Sequence, residues 1–175
     1  MAILPIRRFG DPVLREPAQD VTRFDDALAK LADDMLETMY DAPGVGLAAP
    51  QIGLSLRFFV FDPSPNDDPH PSAVANPELR DAEGEQTEEE GCLSVPNTWS
   101  PTTRAMRIKV TGQDLDGNAI SLVGEGLEAR IFQHEVDHLN ATLFIDRLSA
   151  DDRRRVMAEL RESEMAGHGR WRRRR

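Results

Sequence analysis

The sequence predicts an α+β fold in a single domain. Antiparallel or mixed β-sheets pack around a central helix carrying His134-Glu135-Val136-Asp137-His138, with further helices at the N-terminal and C-terminal ends. Three observations point there. Apolar residues recur at three- and four-residue steps in one segment near each end and in another starting at residue 127. The stretches between them read mostly as strand and turn. With 175 residues, 39% hydrophobic and 30% charged, the chain is long enough for one domain with its own core and only marginally long enough for two.

In chain order, Asp25 to about Tyr40 carries Leu28, Leu31, Met35, Leu36 and Met39 at helical spacing, an amphipathic helix with one face for a core. Asp41-Ala42-Pro43-Gly44 then turns the chain. Arg57-Phe58-Phe59-Val60-Phe61 has the aromatic and β-branched character of a buried strand, and Asp62-Pro63-Ser64-Pro65-Asn66 ends it. Residues 63 to 72 read as an exposed loop. Met106, Ile108 and Val110 alternate with polar neighbours. Asp116-Gly117-Asn118 then turns the chain into Ala119-Ile120-Ser121-Leu122-Val123, an antiparallel hairpin. Past Gly124 and Gly126, the residues Leu127, Ile131, Phe132, Val136 and Leu139 make the stripe of a buried helix. Ser149 with Asp152 three residues on resembles a capping box in which Asp replaces the usual Glu or Gln, and Val156, Met157 and Leu160 give the following helix one apolar face. The domain is expected to span 1–165, with 166–175 a basic, disordered tail.

Composition excludes several classes. No apolar run approaches the length needed to cross a bilayer, so no membrane role is expected. Met-Ala-Ile-Leu-Pro-Ile-Arg-Arg shows no secretory signal, which makes the cytoplasm the expected compartment. The lone Cys92 rules out an internal disulfide framework and suits a reducing compartment. The net charge is −10, but five of the last six residues are arginine, so the rest carries −10 minus 5, or −15. Such a body repels nucleic acid, and no specific nucleic-acid partner is expected.

His134 and His138 stand four residues apart, one turn on a helix at about 100° per residue, so both imidazoles reach one cation. Glu135 lies beside that cation, off the ligand line, where a carboxylate takes a proton from activated water. The pattern points to metal-assisted hydrolysis. A catalytic site of this kind wants a third protein ligand. The metzincin extension fails, because Ala141 and Phe144 occupy its Gly and His places. Two candidates remain open. One is a carboxylate from the C-terminal helix, Glu159 or Glu162, which would make a zinc metalloendopeptidase. The other is Cys92 in Glu90-Gly91-Cys92-Leu93-Ser94, as a thiolate ligand. Gly44-Val45-Gly46-Leu47-Ala48-Ala49-Pro50-Gln51 lacks the lysine and hydroxyl of a P-loop. Its small residues suit close packing, and Gln51 offers an amide donor for a developing oxyanion.

The blocks 44–51, 90–94 and 134–138, in this order, resemble peptide deformylase. The resemblance extends from Phe9-Gly10-Asp11-Pro12-Val13-Leu14-Arg15 to Leu143-Phe144-Ile145-Asp146-Arg147-Leu148, roughly residues 3 to 150. It implies a metal-dependent hydrolase that removes the formyl group from the N-terminal formylmethionine of nascent polypeptides and releases formate. It implies Cys92, His134 and His138 as metal ligands, Glu135 as general base and then acid, and Gln51 with the backbone N–H of Leu93 around the oxyanion. Gly46 would line the peptide backbone, and Val45, Leu127 and Ile131 the methionine side chain, with His134 at its edge. One divalent ion is implied, Fe2+ as the native metal, with Zn2+, Ni2+ or Co2+ able to replace it. Ribosome contact through Arg153, Arg154, Arg155 and the arginine tail is a further expectation. Asn97 and Trp99 depart from the commonest pattern and bear on the groove beyond the first substrate residue.

Overall fold

Asp25 starts the first helix, α1 (Asp26–Asp41), by accepting hydrogen bonds from the N–H groups of Ala27 and Leu28, two donors a helix start otherwise leaves unpaired. The computed structural model describes residues 2–165, so the expected tail at 166–175, including Arg170 and Arg172 to Arg175, lies outside the described residues. Seven strands follow α1: β1 (Gly46–Ala48), β2 (Phe58–Phe61), β3 (Ser72–Glu83), β4 (Gln86–Cys92), β5 (Val95–Arg104), β6 (Arg107–Gln113) and β7 (Ala119–Glu125). Then come α2 (Leu127–Leu139) and α3 (Ala150–Met165). One antiparallel sheet has the order β1-β2-β3-β6-β7, and β4 and β5 form a separate antiparallel hairpin. Among the described residues no helix is long and apolar enough to cross a membrane.

The run Phe58-Phe59-Val60-Phe61 is apolar throughout because β2 is covered on both faces. Side chains alternate along a strand, so Phe58 and Val60 meet Leu28, Ala32, Met35 and Met39 of α1, whereas Phe59 and Phe61 meet Ala129, Phe132 and Val136 of α2. Phe61 and Phe132 pack edge to face with centroids 5.0 Å apart. A third cluster holds Cys92, Val95, Leu143, Phe144, Ile145, Val156 and Leu160, joining the β4–β5 hairpin to α3. Arg15 and Asp146 form an ion pair that ties the two outer blocks of the resemblance together.

The individual strands between residues 72 and 104 carry little apolar alternation. β4 reads Gln-Thr-Glu-Glu-Glu-Gly-Cys, with Glu88 and Glu89 exposed and Glu90 buried, so charge masks the pleat. Two residues placed in apolar patterns sit elsewhere. Met106 precedes β6 and is 43% exposed, and Leu127 opens α2 and is 50% exposed, away from the helix stripe. The expected cap at α3 is present, with Ser149 Oγ accepting from the N–H of Asp152 at 3.1 Å.

Candidate active site

Three elements meet at the site: the edge strand β1 with the 3-10 turn Ala49–Ile52, the end of β4, and the middle of α2. The α2 residues 131, 132, 136 and 139 face the sheet, which turns His134 and His138 towards the hairpin. Cys92 Sγ lies 3.3 Å from His138 Nε2, and the two Nε2 atoms lie 3.2 Å apart. All three donors fall within 4.8 Å of one another and all three residues are buried. Two nitrogens held about 2.05 Å from one tetrahedral ion stand roughly 3.35 Å apart, and sulfur at about 2.3 Å stands roughly 3.6 Å from each. The residues therefore fit a metal ion as they stand, and thiolate with two imidazoles is a donor set for iron, zinc, nickel or cobalt.

Cys92, not a C-terminal carboxylate, completes the cluster. Glu159 is spent on Arg155 at 2.9 Å, and Glu162 is exposed on α3. The face α3 turns to this core is apolar, Val156 and Leu160 packing in one cluster with Cys92, so its carboxylates are left on the helix's other sides.

A ring of charge orients His134, whereas His138 Nδ1 is buried with no hydrogen-bond partner among the described residues. Glu90 Oε1 accepts from His134 Nδ1 at 2.7 Å, which leaves Nε2 free to face the cluster. Arg104 and Arg130 also donate to Glu90, and Arg104 and Arg147 donate to Asp137. Burial alone would raise the Glu90 pKa, but His134 and Arg104 hold it well below the usual carboxylate range. Burial alone would lower His134, yet Cys92 and Glu90 carry it well above the ordinary histidine value. His138 falls well below, from burial and the charge of His134.

Glu135 is 3% exposed, and its Oε2 is buried with no hydrogen-bond partner among the described residues. Desolvation is the main cause that raises its pKa to about 7. Gly46 lies against it, and a Cβ there would stand 3.1 Å from Glu135 Cγ. Gln51 is 1% exposed and held at both ends: Oε1 accepts from the N–H of Ala48 at 2.8 Å, and Nε2 donates to Ser94 Oγ at 3.2 Å and faces Cys92 Sγ at 3.7 Å. Leu93 follows Cys92 at the β4–β5 turn.

A cavity of about 180 Å3 opens over these groups, and Val45, Gly46, Gln51, Cys92, Leu93, Leu127, Ile131, His134 and Glu135 all line it. Of the site residues implied by the resemblance, all but His138 line this cavity, and His138 Nε2 stands 3.2 Å from that of His134, whereas the alternative candidates Glu159 and Glu162 do not line it. The sequence reading gave no role to Glu90, Arg104, Arg130, Asp137 or Ser94. Arg104 meets Glu90 across 14 residues and Asp137 across 33, and such pairings leave no local spacing to find. Arg153, Arg154 and Arg155 each face a carboxylate, from Asp146, Asp151 and Asp152 or Glu159.

An ion site of one sulfur and two imidazoles, with an unpaired carboxylate beside it at the floor of a cavity, is the arrangement of a mononuclear metallohydrolase. Residues 3–154 match the family described as polypeptide deformylase. A peptide deformylase of Acidobacterium capsulatum is 48% identical over 168 residues, covering 95% of this chain and 99% of the relative. One of Acidothermus cellulolyticus is 51% identical over 167 residues, 95% and 91% of the two chains. The crystal structure of a peptide deformylase from Legionella pneumophila superposes with a TM-score of 0.90 at 42% identity, covering 95% and 98%. The chain belongs to the polypeptide deformylase family.

Proposed function

We propose that this protein removes the formyl group from the N-terminal formylmethionine of nascent polypeptides, releasing formate and a free amine. The observation that carries the reading is the unpaired, buried Glu135 carboxylate beside a convergent Cys92, His134 and His138 cluster, in a chain of this family. Cys92 Sγ and the Nε2 atoms of both histidines would hold one divalent ion, Fe2+ in the native protein, with Zn2+, Ni2+ or Co2+ able to replace it. When bound, that ion supplies a Lewis acid that polarises water and the formyl carbonyl.

The chain's own groups do the rest. Glu135 Oε2 takes the proton of the attacking water and delivers it to the departing amine. A pKa of about 7 suits both directions at neutral pH. Gln51 Nε2 and the backbone N–H of Leu93 donate to the oxygen that gains negative charge. Both are fixed before reaction, Gln51 by Ala48 and Ser94, Leu93 by its covalent neighbour Cys92. Val45, Leu127 and Ile131 hold the methionine side chain, and Gly46 lies along the peptide. The reading puts the enzyme in the cytoplasm, where formylated chains emerge. Contact with the ribosome would fall to the basic C-terminal region, Arg153, Arg154 and Arg155 with residues 166–175.

The test is formate release from formyl-Met-Ala-Ser under anaerobic conditions, with metal content measured on the same sample. Chelation is expected to abolish release, and Glu135→Ala to lower it by about 10²–10⁴-fold with metal still bound. Cys92→Ser is expected to lose the metal. Wild-type activity in Glu135→Ala, or cleavage of internal peptide bonds that survives Cys92→Ser, would defeat the reading.

A further inference from the structure

Leu127, Arg130, Ile131 and His134 stand at i, i+3, i+4 and i+7 of α2, one stripe of the helix, and all four line the cavity. Leu127 and Ile131 form the aliphatic wall along the methionine side chain in the proposed binding mode, and Arg130 shares their stripe. A guanidinium is an unusual group in such a wall. Arg130 is 6% exposed, and its Nη1 is used twice, donating to Glu90 Oε2 at 2.6 Å and to the carbonyl of Thr102 at 2.9 Å. Its Nη2 is buried and has no hydrogen-bond partner among the described residues.

Buried polar atoms are nearly always paired, because an orphaned donor loses its hydration and gains nothing in return. Among the described residues only two such atoms belong to side chains that line the cavity, Glu135 Oε2 and Arg130 Nη2. The first has a reacting proton to receive. The second can only donate, so its missing partner is an acceptor. The Glu90 carboxylate already meets Nη1, which leaves Nη2 as a spare donor rather than an uncompensated cation. A weak, neutral acceptor suits that position, and the thioether sulfur is the one acceptor in a methionine side chain.

We propose that Arg130 is a specificity-determining residue, its Nη2 donating to the thioether sulfur of the substrate's methionine and so separating methionine from an aliphatic side chain of the same length. The inference rests on the deformylase reading and adds a recognition rule to it. Norleucine carries a methylene where methionine carries sulfur. An entirely apolar pocket holds norleucine at least as well as methionine, because a methylene has no polar atom to desolvate. A preference for methionine therefore requires a donor.

The experiment compares kcat/KM for formyl-Met-Ala-Ser and formyl-norleucyl-Ala-Ser in the full-length, metal-loaded protein and its Arg130→Met variant. The unmodified protein is expected to favour the methionine peptide by about fivefold, the factor that corresponds to one typical net hydrogen bond. Arg130→Met is expected to bring the ratio to one or below, while Arg104 and His134 still hold Glu90. Because the ratio is taken within one protein, any loss of stability, metal or His134 orientation common to both peptides cancels. A second readout needs no turnover: calorimetric titration of metal-loaded Glu135→Ala is expected to show the methionine peptide binding tighter by a similar factor. A ratio below about twofold in the unmodified protein, equal binding of the two peptides, or a ratio unchanged in Arg130→Met overturns the role of Arg130. If Arg130→Met does not fold, the first two measurements still decide. Absence of formate from every formyl peptide would instead refute the proposed function.

Discussion

Gly46→Ala is the smallest change that should test the position of the Glu135 carboxylate. The added Cβ would stand 2.9 Å from Cδ and 3.1 Å from Cγ of Glu135, and closer still to Oε1. Carbon atoms prefer about 3.5–4.0 Å, so the carboxyl group must retreat by roughly half an ångström or more. Neither side yields easily. Gly46 is held in β1 by its pairing with Phe61, and Glu135 sits mid-helix on α2 with its side chain buried. Overpacking of this kind costs about 1–3 kcal/mol of stability, or a drop in Tm of very roughly 3–10 °C. Displacing a catalytic group by as much as about 1 Å costs on the order of 10²-fold in rate, so kcat should fall about 10- to 100-fold. KM should rise as well, because Gly46 lies along the peptide in the proposed binding mode, but by less than kcat falls if the displaced group is the base. Gly44→Ala is the control. Its Cβ would meet Leu93 Cδ1 at 2.9 Å, the swinging end of a side chain, so the loss in kcat should be much smaller. The assay is steady-state formate release at matched metal content, with thermal melts of both variants. A kcat in Gly46→Ala within threefold of wild type, or a loss carried wholly by KM, would refute the reasoning.

Tyr40 is the single tyrosine of the chain, and desolvation followed by its hydrogen bond to Asp62 raises its pKa to about 12. Its tyrosinate absorbance at 295 nm should therefore titrate well above the ordinary value of about 10. Asp62→Asn should bring the midpoint down. The neutral phenol is favoured by the fold, so its contribution to stability is complete below about pH 10 and lost as pH rises towards 12. A midpoint near 10 in the unmodified protein would contradict this. Arg104→Met removes a cation that is 4% exposed and faces both Glu90 and Asp137, and should cost about 3 kcal/mol or more in urea unfolding. A loss below about 1 kcal/mol would mean that Arg130 and Arg147 suffice for those carboxylates.

The parts of the fold that show in the sequence are those whose burial is one-sided or complete. α1 and α2 carry apolar residues at helical steps, and β2 is apolar at every position because it is covered on both faces. The β4–β5 hairpin is hidden for the opposite reason. Its buried positions include Gln86, Glu90, Ser100, Thr102 and Arg104, polar residues that pair with one another, with α2, with Arg155 of α3 or with the carbonyls of Ala105 and Gly126, and so defeat any hydrophobic pattern. The same contrast holds at the site. His134, Glu135 and His138 are legible because helix geometry converts their spacing into position. Cys92 and Gln51 are legible from the residues alone only as candidates, because what brings them to the histidines is the packing of three separate elements. Glu90 passes for one more residue in an acidic run, although it is 4% exposed and orients His134.

One stretch of α2 explains why so many buried charges are tolerated here. Residues 134 to 138 point in three directions at once. The two histidines face Cys92, Glu135 faces Gly46 on β1, and Asp137 turns back to Arg104 and Arg147. Only Val136 remains for the sheet. A helix segment this polar has little hydrophobic reason to be buried, and buried ion pairs seldom repay their desolvation in stability. Their benefit is positional. Arg104 spans Glu90 on the hairpin and Asp137 on the helix, so it fixes the distance between the two elements that carry the three clustered donor atoms. Cys92 belongs to the hairpin and α3 core, while α2 packs in the sheet core. The cluster lies on the seam between two cores, and the charged ring holds that seam in register. Without it, thiol and imidazoles would keep their own local structure and lose their mutual 3.2–3.3 Å spacing.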